Sequence, residues 1–80
     1  MIATAYVLVR IEAGKARKIY DQLLNVKGVQ NVDAVSGPYD FILTIQAPDF
    51  NALGELVLNK IHPIKGISET ITCNVIRFEP

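Results

Sequence analysis

The two halves of this chain repeat one another at a shift of 38 residues. Ala16 falls on Gly54, Ile19 on Val57 and Leu23 on Ile61, and the "VKGV" of residues 26–29 falls on the "IKGI" of residues 64–67. The matched positions are mostly apolar and helically spaced, followed by a glycine, so the repeat constrains fold rather than chemistry. With 80 residues in all, each half is one supersecondary unit, and residues 1–80 read as one domain built from two such units packed together.

Each unit can be read from its periodicity. Residues 3–11, "ATAYVLVRI", are rich in β-branched and aromatic types and too short for a buried helix, which predicts a strand. Ala5, Val7, Val9 and Ile11 share one face; Tyr6 and Leu8 lie on the other, so both faces need cover. Ala16, Ile19, Tyr20 and Leu23 form an apolar stripe that predicts a helix over about residues 15–24, closed by Gly28, a residue suited to the left-handed cap conformation. A second strand is expected over residues 29–36, with Val29 and Val35 on one face and Val32 and Ala34 on the other. Gly37-Pro38 turns the chain into a third strand over residues 40–47. Asp49 is a good N-cap for a second helix, whose stripe is Phe50, Leu53, Val57 and Ile61; His62-Pro63 ends it. Residues 67–78 read as one long final strand.

Strand, helix, strand, strand, helix, strand is the order of an α+β, ferredoxin-like βαββαβ sandwich with a four-stranded antiparallel sheet. Its first and third strands are central and its helices cover one face. The other face stays apolar and uncovered, so pairing with a second copy into a dimeric α/β barrel is expected. Composition agrees. A domain this small buries only roughly 60–65% of its unfolded surface, yet 50% of its residues are apolar. That is more than one small core needs.

Eight Lys and Arg balance eight Asp and Glu with no basic block. A phosphate-binding face needs clustered positive charge, so no measurable binding of duplex DNA by this chain alone is expected at physiological salt. A filter-binding or anisotropy titration checks this, and tight, salt-sensitive binding to unrelated sequences would overturn it. Cys73 is the one cysteine, which excludes an intrachain disulfide or a zinc cluster. Arg10 closes the first apolar run too early for a membrane span, and no basic leader precedes it. These features predict a cytoplasmic protein with no membrane partner, no metal and no cofactor.

The segment "SGPYDFILTI", a helix opened by Asp49, and then "IKGISETITCNVI" together resemble the ligand-binding domain of the Lrp/AsnC, or feast-famine, transcription regulators. That family carries a G-x-[YF]-D turn into a strand, here Gly37-Pro38-Tyr39-Asp40. It also carries a G-[VI]-x-x-T-x-T run, here Gly66 to Thr72 with Thr70, Ile71 and Thr72 at its end. The resemblance covers essentially the whole chain. Family regulators also have an N-terminal helix-turn-helix, which this chain lacks, so it resembles a stand-alone form of the effector module. The resemblance implies a homodimer, often assembled into rings of dimers, and an amino-acid-like effector held between dimers. It places Gly37, Tyr39, Asp40, Thr70, Ile71 and Thr72 at the effector site.

The residues themselves leave two readings open. Asp40 is either a turn residue whose carboxylate meets backbone amides or the counter-charge of a ligand ammonium. Gly37 permits a backbone geometry or a close approach that a Cβ would block. Thr70 and Thr72 share a strand face, either as β-formers with cross-strand contacts or as hydroxyls receiving a ligand carboxylate. Asp40 opens the third strand and Thr70 the fourth, which, taken as antiparallel, puts them toward opposite ends of the sheet. A site using both would then span subunits. His62 reads as a helix-end or surface residue and Cys73 as a small buried hydrophobe.

No catalytic residue is assigned, because no nucleophile motif, phosphate loop or acid–base constellation is present. The sequence therefore points to a non-enzymatic amino-acid-binding and oligomerisation module. It would modulate transcription through assembly with itself or with full-length, DNA-binding Lrp/AsnC relatives. The alternatives are a small cofactor-free enzyme on the same dimeric α/β-barrel fold, with His62, Tyr39 and Asp40 as its only obvious candidates, and an ACT-like regulatory domain.

Overall fold

The computed structural model describes residues 2–79. Its elements are β1 (Ala3–Ile11), α1 (Ala16–Leu24), β2 (Val29–Ala34), β3 (Phe41–Ala47), α2 (Phe50–Leu56) and β4 (Ile67–Asn74). A π-helical turn, Val57–Ile61, extends α2. The sheet order is β2-β3-β1-β4, with every neighbouring pair antiparallel. This is the βαββαβ sandwich expected from the repeat.

Period-two alternation decides which face of the sheet is buried. Ala3, Ala5, Val7 and Val9 of β1 and Phe41, Leu43 and Ile45 of β3 pack against Ile19 and Leu23 of α1, Leu53 of α2, and Val57 and Ile61 of the π turn. Tyr20 is half-buried against this core, whereas Ala16 and Phe50, at the starts of the two helical stripes, stay exposed. Asp49 caps α2 as its position predicts, accepting from the Ala52 amide at 2.8 Å.

The repeat is clearest where each helix hands over to a strand. Gly28 and Gly66 have φ of +102° and +100°, which an L side chain rarely adopts. One residue on, the Val29 amide donates to the Val26 carbonyl and the Ile67 amide to the Ile64 carbonyl, both at 3.1 Å. Each glycine carbonyl then accepts from a neighbouring segment: Gly28 from Gln46 at 2.9 Å, Gly66 from Glu12 at 2.8 Å. The matching position of "KG" in the two halves therefore encodes one three-dimensional joint used twice.

Three strand details depart from the alternation read in the sequence. β2 has an irregularity between Val29 and Asn31, so Val29 pairs with Ile45, Val32 with Leu43 and Ala34 with Phe41. Val29 and Val32 thus both reach the helix side, because a bulge shifts the period by one. β4 stops at Asn74 rather than Phe78. The Val75 amide still reaches the Thr4 carbonyl at 2.9 Å, one residue short of the start of β1 at Ala3. Cys73 is exposed rather than buried; it pairs with Tyr6, on the face away from the helices.

Candidate functional site

The G-x-Y-D turn delivers Asp40 to the mouth of β3, where the backbone claims it. The Asp40 amide donates to the Val9 carbonyl at 2.9 Å, and its Oδ2 accepts from the Ile11 amide at 2.9 Å. Ile11 lies at the irregularity in the β1–β4 register between Arg10 and Ile11. The β1–β3 ladder ends at the Val9–Phe41 pair, so no β3 residue lies opposite Ile11, and the Asp40 carboxylate supplies the acceptor its amide needs. The turn-residue reading of Asp40 is therefore correct as far as it goes: one oxygen has a structural task.

Tyr39 is half-buried and its ring lies 4.9 Å from the Arg10 guanidinium. Arg10 also meets Glu69 of β4, Nε to Oε1 at 3.3 Å, with both side chains 46% exposed, so this pair orders the surface more than it stabilises the fold. Sequence reasoning did not single out Arg10. Its signal was positional: it lies one residue before the end of β1, the strand flanked by both motif-bearing strands.

Thr70 and Thr72 pair with Val9 and Val7. Those valines are core residues, so the two threonines share the helix-side face of an edge strand, while Ile71, paired with Leu8, faces the open side. The helices do not reach over this edge: Thr70 is half-buried and Thr72 exposed. His62, at the C-terminal end of the π turn, brings its Nδ1 to 3.2 Å from Thr70 Oγ1. The expected surface position of His62 is correct. The sequence carried a hint of the contact, since a short turn around Pro63 and Gly66 folds the helix end back beside β4.

The inferred separation of Asp40 and Thr70 needs correction. β3 and β4 are both antiparallel to β1, so they run parallel to one another. Val9 pairs with Phe41 on one side and Thr70 on the other, which puts both motifs at the same end of the sheet. What divides them is β1, which sets the two strands about 9–10 Å apart. The faces also differ: Tyr39 lies over Arg10 on the open side, while the threonines line the helix side. Gly37 needs correction too. Its φ is not positive, and a Cβ there would meet nothing within 4 Å, so it is not required by backbone geometry or close packing.

The candidate residues share one end of the protomer. Three concavities, beside the segment after β4, between α1 and β2, and near Ala47 and Pro48, are lined by other residues. Chemically, the end offers threonine hydroxyls, an imidazole and a carboxylate with one oxygen engaged, which suit hydrogen bonding to a small polar molecule. Among the described residues no group of three His, Cys, Asp or Glu could hold a metal ion, and no helix is long and apolar enough to cross a membrane.

Comparison with known proteins gives this geometry a context. An uncharacterised helix-turn-helix-type transcriptional regulator of Pyrococcus furiosus is 31% identical over 72 residues, covering 86% of this chain and 48% of the regulator. The chain thus spans about half the length of the curated regulators it matches. A solved protein of Thermus thermophilus superposes with a TM-score of 0.89 at 27% identity, covering 98% of both chains. A transcriptional regulator of Neisseria meningitidis, solved as an L-Met complex, has the same fold, with a TM-score of 0.84 at 23% identity over 94% of this chain and 50% of that one. A partial match to a homocitrate synthase of Sulfurisphaera tokodaii, 36% identical, covers 65% of this chain but 11% of the enzyme, too small a share to carry a reaction. The family model described as the Lrp/AsnC ligand binding domain matches residues 4–78, and the chain belongs to that family.

Proposed function

We propose that residues 1–80 form a single effector-binding and oligomerisation domain that responds to an amino acid or a related metabolite. It modulates transcription by assembling with itself or with DNA-binding Lrp/AsnC relatives. The observation that carries this reading is the Thr70–Thr72 run: two hydroxyls on one side of an edge strand, outside the core, in a chain of a ligand-binding family. The helix-turn-helix relatives support the regulatory part, and the L-Met complex of the Neisseria regulator supports an amino-acid effector.

In this reading two copies pair their open sheet faces, and dimers assemble further into a ring. Asp40, with Gly37 and Tyr39 beside it, faces the Thr70–Ile71–Thr72 segment of another subunit. Asp40 Oδ2 keeps the Ile11 amide, and Oδ1 accepts from the ligand ammonium. The threonine hydroxyls receive the carboxylate. The open space around Gly37 leaves room for an approaching subunit or ligand. Effector binding and assembly are then linked, because a ligand held between dimers stabilises the assembled form.

A thermal-shift screen of the free amino acids, followed by calorimetry, tests this. Asp40→Asn retains a carbonyl oxygen for the Ile11 amide but removes the charge. It should weaken the best effector by about 1.5–3 kcal/mol, the scale of a hydrogen bond to a charged group, and leave the dimer intact. Thr72→Val should weaken it as well. If both variants bind like wild type, the site is wrong; if no amino acid shifts the melting temperature or the assembly state, the effector reading is.

A further inference from the structure

β4 leaves its ladder with β1 after Asn74, opposite Ala5, and the residues beyond it form an arm that carries Ile76 and Phe78. After the Val75–Thr4 hydrogen bond, residues 75–79 belong to no helix or strand. Ile76 is 79% exposed and Phe78 94% exposed. In an extended chain these two lie on one side, with Arg77 and Glu79 on the other. A groove of matching character runs between α1 and β2. Tyr20, Val32 and Phe41 line it, with Arg17 and Asp33 as its charged residues. Its volume is about 470 Å³.

The arm cannot reach this groove on its own chain. β4 and β2 are opposite edges of the sheet, three strand spacings or about 14 Å apart. They also use opposite ends: the arm leaves beside Thr4, whereas the groove lies beside Phe41, whose partner is Val9. Diagonal corners of this kind can meet across a twofold axis, each arm entering the other copy's groove, which closes the assembly at two subunits.

We propose that residues 75–79 dock in the α1–β2 groove of a second copy of this chain. Ile76 and Phe78 cover Tyr20, Val32 and Phe41, while Glu79 and Arg77, on the arm's outer side, reach back to the exposed rim residues Arg17 and Asp33. Arm and groove each carry one cation and one anion, so their charges pair in one of the two directions in which the arm can lie. Arg17 already contacts Asp21, Nε to Oδ1 at 3.4 Å on the exposed surface, and its remaining guanidinium donors serve the second carboxylate. Five extended residues span up to about 17 Å, enough to cross from one edge to the next. The arm rests on the proposed function only in requiring that copies associate; it needs no effector.

The test uses the full chain with Cys73→Ser. One tagged population carries Glu79→Cys and a differently tagged one Ala16→Cys, a groove position next to Arg17; the two are co-expressed and oxidised. The mixed disulfide should form at least tenfold faster than with Lys60→Cys, an exposed residue of the π turn, in place of Ala16→Cys. Equal rates for the two pairs overturn the proposal. Independently, deleting residues 76–80 should raise the Kd of self-association roughly tenfold or more, from the loss of two apolar anchors per arm. Cooperative unfolding should persist, since neither Ile76 nor Phe78 is part of the core. Self-association unchanged by the deletion overturns the arm even if a sheet-face variant dissociates the dimer. Selective cross-linking in a chain that binds no amino acid upholds the arm and leaves the effector reading to fail alone.

Discussion

Leu8→Glu should convert the proposed sheet-to-sheet dimer into a monomer at micromolar concentration. Leu8 sits at the middle of the open face, paired with Ile42 on one side and Ile71 on the other. Tyr6 and Ile71 on that face are 48% and 36% exposed in the single chain, because both helices pack against the opposite face. A twofold interface would bury two copies of the new carboxylate, and Arg10, the cation two residues along that face, is already engaged with Glu69. An unpaired charge taken out of water costs several kcal/mol. About 4 kcal/mol in total already raises Kd about a thousandfold. Leu8 lies outside the buried core, so the variant should keep its circular dichroism and a cooperative transition. Sedimentation velocity on both proteins checks the result. If Leu8→Glu sediments as a dimer, this face is not the interface; a stable, cooperatively unfolding wild-type monomer would say the same.

Gly28→Ala is expected to cost about 2–5 kcal/mol of folding stability. Part is conformational, since an L residue at this φ of +102° loses roughly 1–2 kcal/mol. The rest is steric. A Cβ would lie 2.8 Å from Leu56 Cδ2 and 3.2 Å from the Gln46 carbonyl oxygen. The leucine methyl can move, but the carbonyl belongs to β3 and moves only with the sheet. Overpacking of this kind costs about 1–3 kcal/mol. Gly66→Ala should cost less, because the Cβ there would meet only side chains, Ile19 Cδ1 at 2.9 Å and Lys15 Cδ at 3.3 Å. Gly37→Ala should change stability by about 0.5 kcal/mol or less, the range of an unconstrained surface position. Urea unfolding of the three variants ranks them. A Gly28→Ala midpoint no lower than that of Gly37→Ala would refute the joint described for the two halves.

These glycines show where sequence reading succeeds. Gly28 and Gly66 were legible because they recur at one spacing behind two apolar stripes, and local geometry follows from that context. Gly37 was credited with a constraint through its motif alone, and its actual φ and surroundings impose none. Asp40 shows the same limit. Its turn position was visible, but its acceptance of the Ile11 amide depends on where β3 stops pairing with β1, a strand about 30 residues away in sequence.

By itself, the sequence determined the identity and order of the elements and how the side chains of β1 divide between two faces. Those follow from periods of two and 3.6 residues, which are properties of short stretches of backbone. The tertiary structure alone decided what depends on neighbours. β4 leaves the ladder at Asn74, opposite Ala5, so the apolar residues beyond it become an arm. Cys73 faces outward because its register is set by Tyr6 of β1, and alternation within β4 cannot tell which of its two faces the helices will cover. Asp40 and Thr70 share an end of the sheet because two strands that each oppose β1 must run parallel to one another. Pairing between distant segments is settled by loop closure and cross-strand contacts, and neither leaves a signature in the residues of one strand.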